Sequence, residues 1–331
     1  MISNKQIRRL LLKEYGLRKL SLKDLGGHID KIFLVETKSY RFVFKISLNR
    51  KMNKAIFENQ LNLMQYLNKN GIGTPKIIKT VSGQNYSIIS DYKKRRCVLY
   101  EFISGKKIVV QNKKQIIDLA KWVAKIHKLC LDFKGKLIFY YDPIKVEIYK
   151  TDYISKYIKR TRREFALPML NLRKKIIAEY LKSISKLRSG MFINDLAQSN
   201  IVIKNRKKYI LDFNIAGGNY LVDDLSWVLT WYFVENDKKE YVKDFMNVYQ
   251  KEIKLNESEK KILRILPILY SNLQYKQFGK IKNKKETEGK SQLLKSYAFG
   301  EYLTRMSRRL GNERVACLPA RQGSPATRAL N

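Results

Sequence analysis

Apolar residues along this chain first alternate as they do in strands and then recur at helical spacing, with the change falling near residue 104. Ile32-Phe33-Leu34-Val35 and Arg41-Phe42-Val43-Phe44-Lys45-Ile46 read as a strand pair, preceded by the turn Leu25-Gly26-Gly27-His28. Ile56, Leu61, Leu63, Met64 and Leu67 mark a helix that stops at Asn70-Gly71. An apolar strand at 97–103 ends in the small-residue break Ser104-Gly105. Beyond it, helical spacing appears over 116–129, 144–163, 172–187, 224–234, 239–253, 257–277 and 291–310. One hairpin interrupts this part: Ile201-Val202-Ile203, a polar turn around Asn205-Arg206-Lys207, and Tyr209-Ile210-Leu211. The expectation is an α+β chain of two compact parts, since 331 residues can bury a sizeable core. After Leu310 the composition turns to Gly, Pro, Ala and Arg without lysine, and 311–331 is expected to be a disordered tail.

The hairpin lies inside the segment richest in chemistry, FINDLAQSNIVIKNRKKYILDF at 192–213. Asp195 and Asn200 have the D-x-x-x-x-N spacing of a kinase catalytic loop, and the hairpin returns the chain to Asp212-Phe213. Phosphoryl transfer needs a carboxylate facing the acceptor hydroxyl and oxygen ligands for a hard cation. Asp195 suits the first task, Asn200 and Asp212 the second. A surface hairpin with an Asp-capped turn is the alternative reading of the same residues.

Upstream residues can be read as a nucleotide clamp in the matching order. Glycines such as Gly26 and Gly27 permit backbone conformations in which amides approach a phosphate, although Gly-Gly is also an ordinary turn. Lys45 sits inside an apolar strand, where a cation is costly unless paired. Glu58 on the following helix is its candidate partner; a snorkelling edge lysine and a solvated helix glutamate are the plainer readings. Backbone groups from Glu101 to Ile103, at the strand end, are placed to receive an adenine.

These segments, in order LGGHIDKIFLV, RFVFKI, the Glu58 helix with GIGTPKI, VLYEFISGKKI, FINDLAQSNIVI and ILDFNIAGGNYLVDDLSWVL, resemble the aminoglycoside phosphotransferase and choline kinase superfamily over roughly residues 10 to 305. The resemblance implies a protein-kinase-like two-lobe fold: a small N-terminal antiparallel-sheet lobe with one helix, about 1–103, and a larger, mostly helical C-terminal catalytic and substrate lobe, about 104–310. It implies an enzyme that uses ATP and Mg2+ to phosphorylate a small-molecule hydroxyl. Asp195 would be the base, Asn200 and Asp212 the magnesium ligands, and Asp224 a brace for the active-site loop. Gly26, Gly27, Lys45, Glu58, Glu101 and Ile103 would bind the nucleotide. Two positions depart from the family pattern: Ile193 stands where a histidine usually precedes the catalytic aspartate, and Asn214 follows Asp212-Phe213 in place of glycine.

The acceptor is open among choline or ethanolamine, homoserine, an aminoglycoside and a sugar. Trp227 and Trp231, four apart on a helix, could cradle a quaternary ammonium through cation–π attraction, though helical aromatics are more often core. Charge adds a competing idea. With 68 Lys and Arg against 29 Asp and Glu, the net charge is +39, which attracts nucleic acid or anionic surfaces. A degenerate kinase-like scaffold binding such partners is therefore the alternative. The lysines are scattered, however, and accompany abundant Ile, Asn and Tyr, so compositional drift is favoured over a nucleic-acid partner. Cys97, Cys130 and Cys317 are too few and scattered for a disulfide framework or zinc site. Residues 1–17 are charged throughout, unlike a signal peptide, and no apolar run approaches bilayer length, so a reducing cytoplasm is the expected setting. Of the two histidines, His28 is expected in an exposed turn and His127 in a structural role. Oligomeric state is open.

Overall fold

The computed structural model describes residues 2–27, 30–49, 52–90, 93–139, 148, 151, 163–234 and 238–271. His28, most of the expected 144–163 helix, the 291–310 helix, Cys317 and the tail fall outside the described residues.

Alternation in the first hundred residues produces an antiparallel sheet. Its strands are β1 (Ser21–Gly26), β2 (Lys31–Glu36), β3 (Arg41–Ile46), β4 (Ile77–Ile78), β5 (Ser87–Ser90) and β6 (Lys94–Glu101), in the order β1-β2-β3-β6-β4 with β5 also paired to β6. Ile32 lies opposite Lys45, and Lys45 opposite Val98, so Lys45 occupies the centre of the sheet and not an edge. Two helices accompany these strands where one was expected. Helix α2 (Lys54–Lys69) is the anticipated one, capped by Asn53. Helix α1 (Asn4–Tyr15) was not: its Ser3/Gln6 capping box and Gly16, at φ +67°, define its ends. Ile7, Leu11 and Tyr15, at i, i+4 and i+8, bury against Phe33, Val35, Phe44 and Leu99.

The rest is mostly helical: α3 (Lys113–Asp132), α4 (Arg163–Ser183), α5 (Leu221–Leu229), α6 (Val242–Glu252), α7 (Glu257–Leu263) and α8 (Leu266–Ser271). The apolar pattern over 257–277 reads as one helix, but the structure breaks it after Leu263. Pro267, which lacks an N–H and would clash with the carbonyl of Leu263, is tolerated only in the first turn of a new helix. Likewise the 224–234 pattern resolves into α5, starting at Leu221, followed by a π-helical turn over Thr230–Val234.

Two small ladders set the chemistry-bearing loops. The hairpin is β9 (Ile201–Lys204) and β10 (Lys207–Ile210), joined by Asn205 and Arg206 at φ +49° and +62°. Positive φ at both central positions is the type I′ geometry that suits a two-residue hairpin turn. Strand β7 (Lys106–Lys107) adds to β9, and β8 (Ser189–Phe192) pairs with β11 (Gly217–Tyr220). One apolar cluster then unites Leu63, Met64 and Leu67 of α2 with α3, the Phe192–Leu196 segment, Phe213, α5 and α6. Helix α2 of the sheet lobe and the helical lobe are thus packed through a shared core. No helix among the described residues is long and apolar enough to cross a membrane.

Candidate active site

Asp195 follows β8 through Asn194, a buried residue at φ +63°. That left-handed conformation is costly for a residue with a side chain, and the Asn194 amide is secured on both sides. Its Nδ2 donates to the Ile215 carbonyl at 2.9 Å, and its Oδ1 accepts from Asn219 Nδ2 at 2.7 Å. The loop is therefore clamped to the β11 side. Burial, and next the negative charge of Asp212, push the Asp195 carboxyl up to about 6, while a hydrogen bond from Asn200 pulls the other way.

Asn200 closes a short 3-10 turn, with its N–H on the Ala197 carbonyl at 3.0 Å and its Nδ2 on the Asp195 carbonyl at 3.3 Å. The N–H of Leu211, at the far end of the hairpin, donates to the Asn200 carbonyl at 2.8 Å. This bond is why Asn200 and Asp212 are neighbours despite their separation in sequence. The hairpin between them returns the chain to its start. Asp212 is one-third exposed, and its Oδ1 accepts the Asn214 N–H at 2.8 Å. A carboxylate and an amide oxygen fit a hard cation that brings water and phosphate oxygens with it. Among the described residues there is no cluster of three or more His, Cys, Asp or Glu able to cage a metal alone.

Lys45 reaches this centre from the sheet. Its Nζ is 3.5 Å from Asp212 Oδ1, 3.3 Å from Asp30 Oδ2, and bonded to the Asn214 side-chain oxygen. The Lys45–Glu58 pair expected from sequence does not form. Glu58 is 40% exposed, its Oε1 accepts from Tyr86 Oη at 3.0 Å, and it stands 3.8 Å from Lys54. Helical geometry explains the miss: the inward face of α2 carries Phe57, Gln60 and Leu61, and Glu58 lies beside it, turned to Tyr86. What α2 sends inward is Gln60, whose Nε2 donates to the carbonyls of Asn214 at 3.1 Å and Ala216 at 2.9 Å.

The glycine turn has Gly26 at φ +76° and Gly27 at φ +152°. A Cβ on Gly27 would lie 2.1 Å from the Asp30 carbonyl oxygen, so the close return of the chain there requires glycine. At the end of β6 the Glu101 N–H is bound to the Lys76 carbonyl at 2.9 Å and is not available to a base; Ile103 is buried just beyond.

Asp224 lies in the first turn of α5, wholly buried, with His127 Nε2 at 3.3 Å from its Oδ2. His127 Nδ1 shares a hydrogen bond with Tyr249 Oη at 2.7 Å, and the ring meets Phe192 edge-on. The tryptophans are not arranged as an open cage. Trp227 stacks on Tyr270 at 4.6 Å and 11°, a spacing that leaves no room for an ammonium between the rings, and Trp231 lies 6.0 Å away at 16°. Trp227 on α5 packs against α8 through Tyr270, and Trp231, in the π-helical turn that follows, is half-buried against the main apolar cluster.

Sequence reasoning missed Asp30, Gln60 and Asn219. Asp30 carried a signal, being an acid at the mouth of an apolar strand; Gln60 and Asn219 had none that distinguishes them from surface amides.

Strands, hairpin and cleft together define a kinase-like phosphotransferase. The model of the phosphotransferase enzyme family (APH) matches residues 22–259, and the chain belongs to that family. It is a small-molecule kinase. A hydroxylysine kinase from Xenopus laevis is 22% identical over 298 residues, covering 80% of this chain and 79% of the relative. Among solved structures, an amicoumacin kinase in complex with AMP-PNP, Ca2+ and Ami superposes with a TM-score of 0.67 at 13% identity, over 92% of this chain and 94% of the other. A microcompartment-associated aminopropanol kinase gives 0.63 at 11% identity, over 94% and 99%. A choline kinase from Cryptosporidium parvum gives 0.59 at 14%, over 92% and 97%.

Proposed function

We propose that this chain is an ATP- and Mg2+-dependent O-kinase that moves the γ-phosphate to the hydroxyl of a small amine-bearing alcohol. The observation that carries the reading is the convergence of Asp195, Asp212 and Lys45 from three separate segments, with Asp212 within reach of Lys45 and electrostatically coupled to Asp195. Amino alcohols are favoured as the acceptor because the relatives named above include kinases of hydroxylysine, aminopropanol and choline.

In this reading residues 1–103 clamp the nucleotide and 104–310 carry the base and the acceptor. Lys45 holds the α- and β-phosphates. Asn200 and Asp212 would hold Mg2+, which when bound neutralises phosphate charge. The half-buried Asp195 carboxylate accepts the proton of the acceptor hydroxyl as the hydroxyl oxygen bonds to the γ-phosphorus, and the bond from that phosphorus to the ADP oxygen breaks. Asp224, together with His127, braces the loop on which Asp195 stands. Glu101 and Ile103 line the adenine end, where Ile103 N–H and the Glu101 carbonyl are the groups to meet the base. The reducing interior of a cell is the setting proposed for the buried thiols Cys97 and Cys130.

Thermal-shift measurements with ATP plus Mg2+, and with ATP plus chelator, test the nucleotide part; a metal-dependent rise in Tm supports it and its absence refutes it. Coupled ADP release across hydroxylysine, aminopropanol, choline, homoserine, aminoglycosides and sugars then identifies the acceptor.

A further inference from the structure

Resting on the kinase reading above, we propose that Asp30 is the counter-ion that positions Lys45 for the nucleotide phosphates, and that helix α2 has no part in that pairing. The register of the sheet places it there. Ile32 is directly opposite Lys45 across the β2–β3 ladder, so Asp30, two residues before Ile32, lies on the same face and one diagonal step from Lys45. Diagonal neighbours in an antiparallel pair are within reach of a long side chain. Asp30 is 3% exposed, its Oδ1 accepts the Leu48 N–H at 3.1 Å, and its Oδ2 faces Lys45 Nζ at 3.3 Å. The carboxylate, just before β2, is thus held by the chain at the end of β3 and faces the cation that β3 itself carries.

The glycine turn belongs to the same device. The chain folds back at Gly27 onto the Asp30 carbonyl, where any side chain would collide. A turn suited to phosphates and the acid that aims the lysine are consequently set by one close approach. Asp30, Lys45, Gln60, Tyr100 and Asn214 also line a common cavity of about 20 Å³ between the sheet, α2 and the Asp212 loop. On that cavity α2 presents Phe57, Gln60 and Leu61, none of them charged, while its Glu58 is engaged with Tyr86 and Lys54. The acid nearest Lys45 therefore comes from the entry to the adjacent strand β2, and α2 bonds to the lysine's surroundings through Gln60, on the Asn214 carbonyl.

The test compares Lys45→Ala, Asp30→Asn, Glu58→Gln and the double variant Lys45→Ala/Asp30→Asn in steady-state kinetics with varied Mg-ATP, using whichever acceptor supports turnover, and in Mg-AMP-PNP titration. Asn at position 30 still accepts from Leu48 N–H, so it removes the charge and keeps the strand contact. The expected result is a rise of tenfold or more in KM for ATP with Lys45→Ala and with Asp30→Asn, a double variant no worse than Lys45→Ala alone, and a change under twofold with Glu58→Gln. A KM unaffected by Asp30→Asn while Lys45→Ala is impaired overturns the pairing and leaves the kinase reading standing, as does a loss with Glu58→Gln equal to that with Lys45→Ala. A Lys45→Ala enzyme with unaltered nucleotide affinity overturns both.

Discussion

His127 Nε2 lies 3.3 Å from Asp224 Oδ2, with both side chains wholly buried. The two come from α3 and α5, and Phe192, two residues before Asn194, packs its ring against the imidazole. The Asp195 loop is clamped through Asn194 and Asn219, and the brace proposed from beneath it is the His127, Phe192 and Asp224 contact. Removing the imidazole opens a cavity beside the buried Asp224 carboxylate and leaves the buried Tyr249 hydroxyl without its partner, changes that cost about 1–3 kcal/mol each. His127→Ala is accordingly expected to lower stability by several kcal/mol in chemical denaturation. Stability within 1 kcal/mol of wild type would show that the contact bears no load.

Asp195 links activity, stability and pH through one property. Its carboxyl is raised from the usual value of 3.8 to about 6, chiefly by burial. The native state therefore holds the proton more tightly than the unfolded chain does, and stability contributed by this group is present below about pH 4 and lost as pH rises to about 6. The loss is on the order of 3 kcal/mol at neutral pH, by about 1.4 kcal/mol per pKa unit. Asp195→Asn, which removes the charge, should be more stable than wild type at pH 7.5 and nearly equal at pH 4 in metal-free protein. For turnover the sign is reversed: as the proposed base, Asp195 must be ionised, so kcat/KM for nucleotide should fall as pH drops below about 6. Denaturation curves of the two proteins at both pH values check the first claim, and a pH–rate profile the second.

Ile193, which the family resemblance sets against a histidine, is wholly buried in the main apolar cluster. An imidazole there would exchange packed methyl groups for a polar ring. Because the loop is already held by Asn194 and Asn219, Ile193→His is expected to cost about 1–3 kcal/mol of stability without raising kcat. A gain in turnover would mean that the loop of the wild-type protein is too loose.

Asn194 combines an unfavourable backbone conformation with two side-chain hydrogen bonds. Asn194→Gly relieves the backbone and loses the bonds, whereas Asn194→Ala suffers on both counts. The alanine variant should thus be the less stable by about 1–2 kcal/mol, and both should lose turnover through a displaced Asp195. Equal stability of the two variants would show that φ at this position is unstrained.

How much of this was legible in advance depended on range. Periodicity announces the β2–β3 pair, helix α2, most of the later helices and the hairpin that carries Asn200 to Asp212, because each depends on residues near one another in sequence. Helix α1 was readable from Ser3, Gln6 and the Ile7, Leu11, Tyr15 spacing, but its many charges obscured it. The broken 257–277 helix had its signal in Pro267. Contacts across the cleft were not legible. Glu58 is an acid on the expected helix, and only the rotational setting of that helix shows that it faces Tyr86 while Gln60 faces the loop. The tryptophan spacing allowed a cage but favoured core packing, and the structure contains the stack on Tyr270.

The central claim is that this cleft transfers phosphate to an alcohol with Asp195 as base. Its most direct test is product formation from γ-labelled ATP and the acceptor panel, run with wild type and Asp195→Asn in parallel with Mg-ATP thermal shifts of both. The account predicts labelled acceptor and ADP in equal amounts from wild type, and a rate lower by about 10²- to 10⁴-fold from the variant, with the thermal shift retained. Equal rates from the two proteins would contradict it.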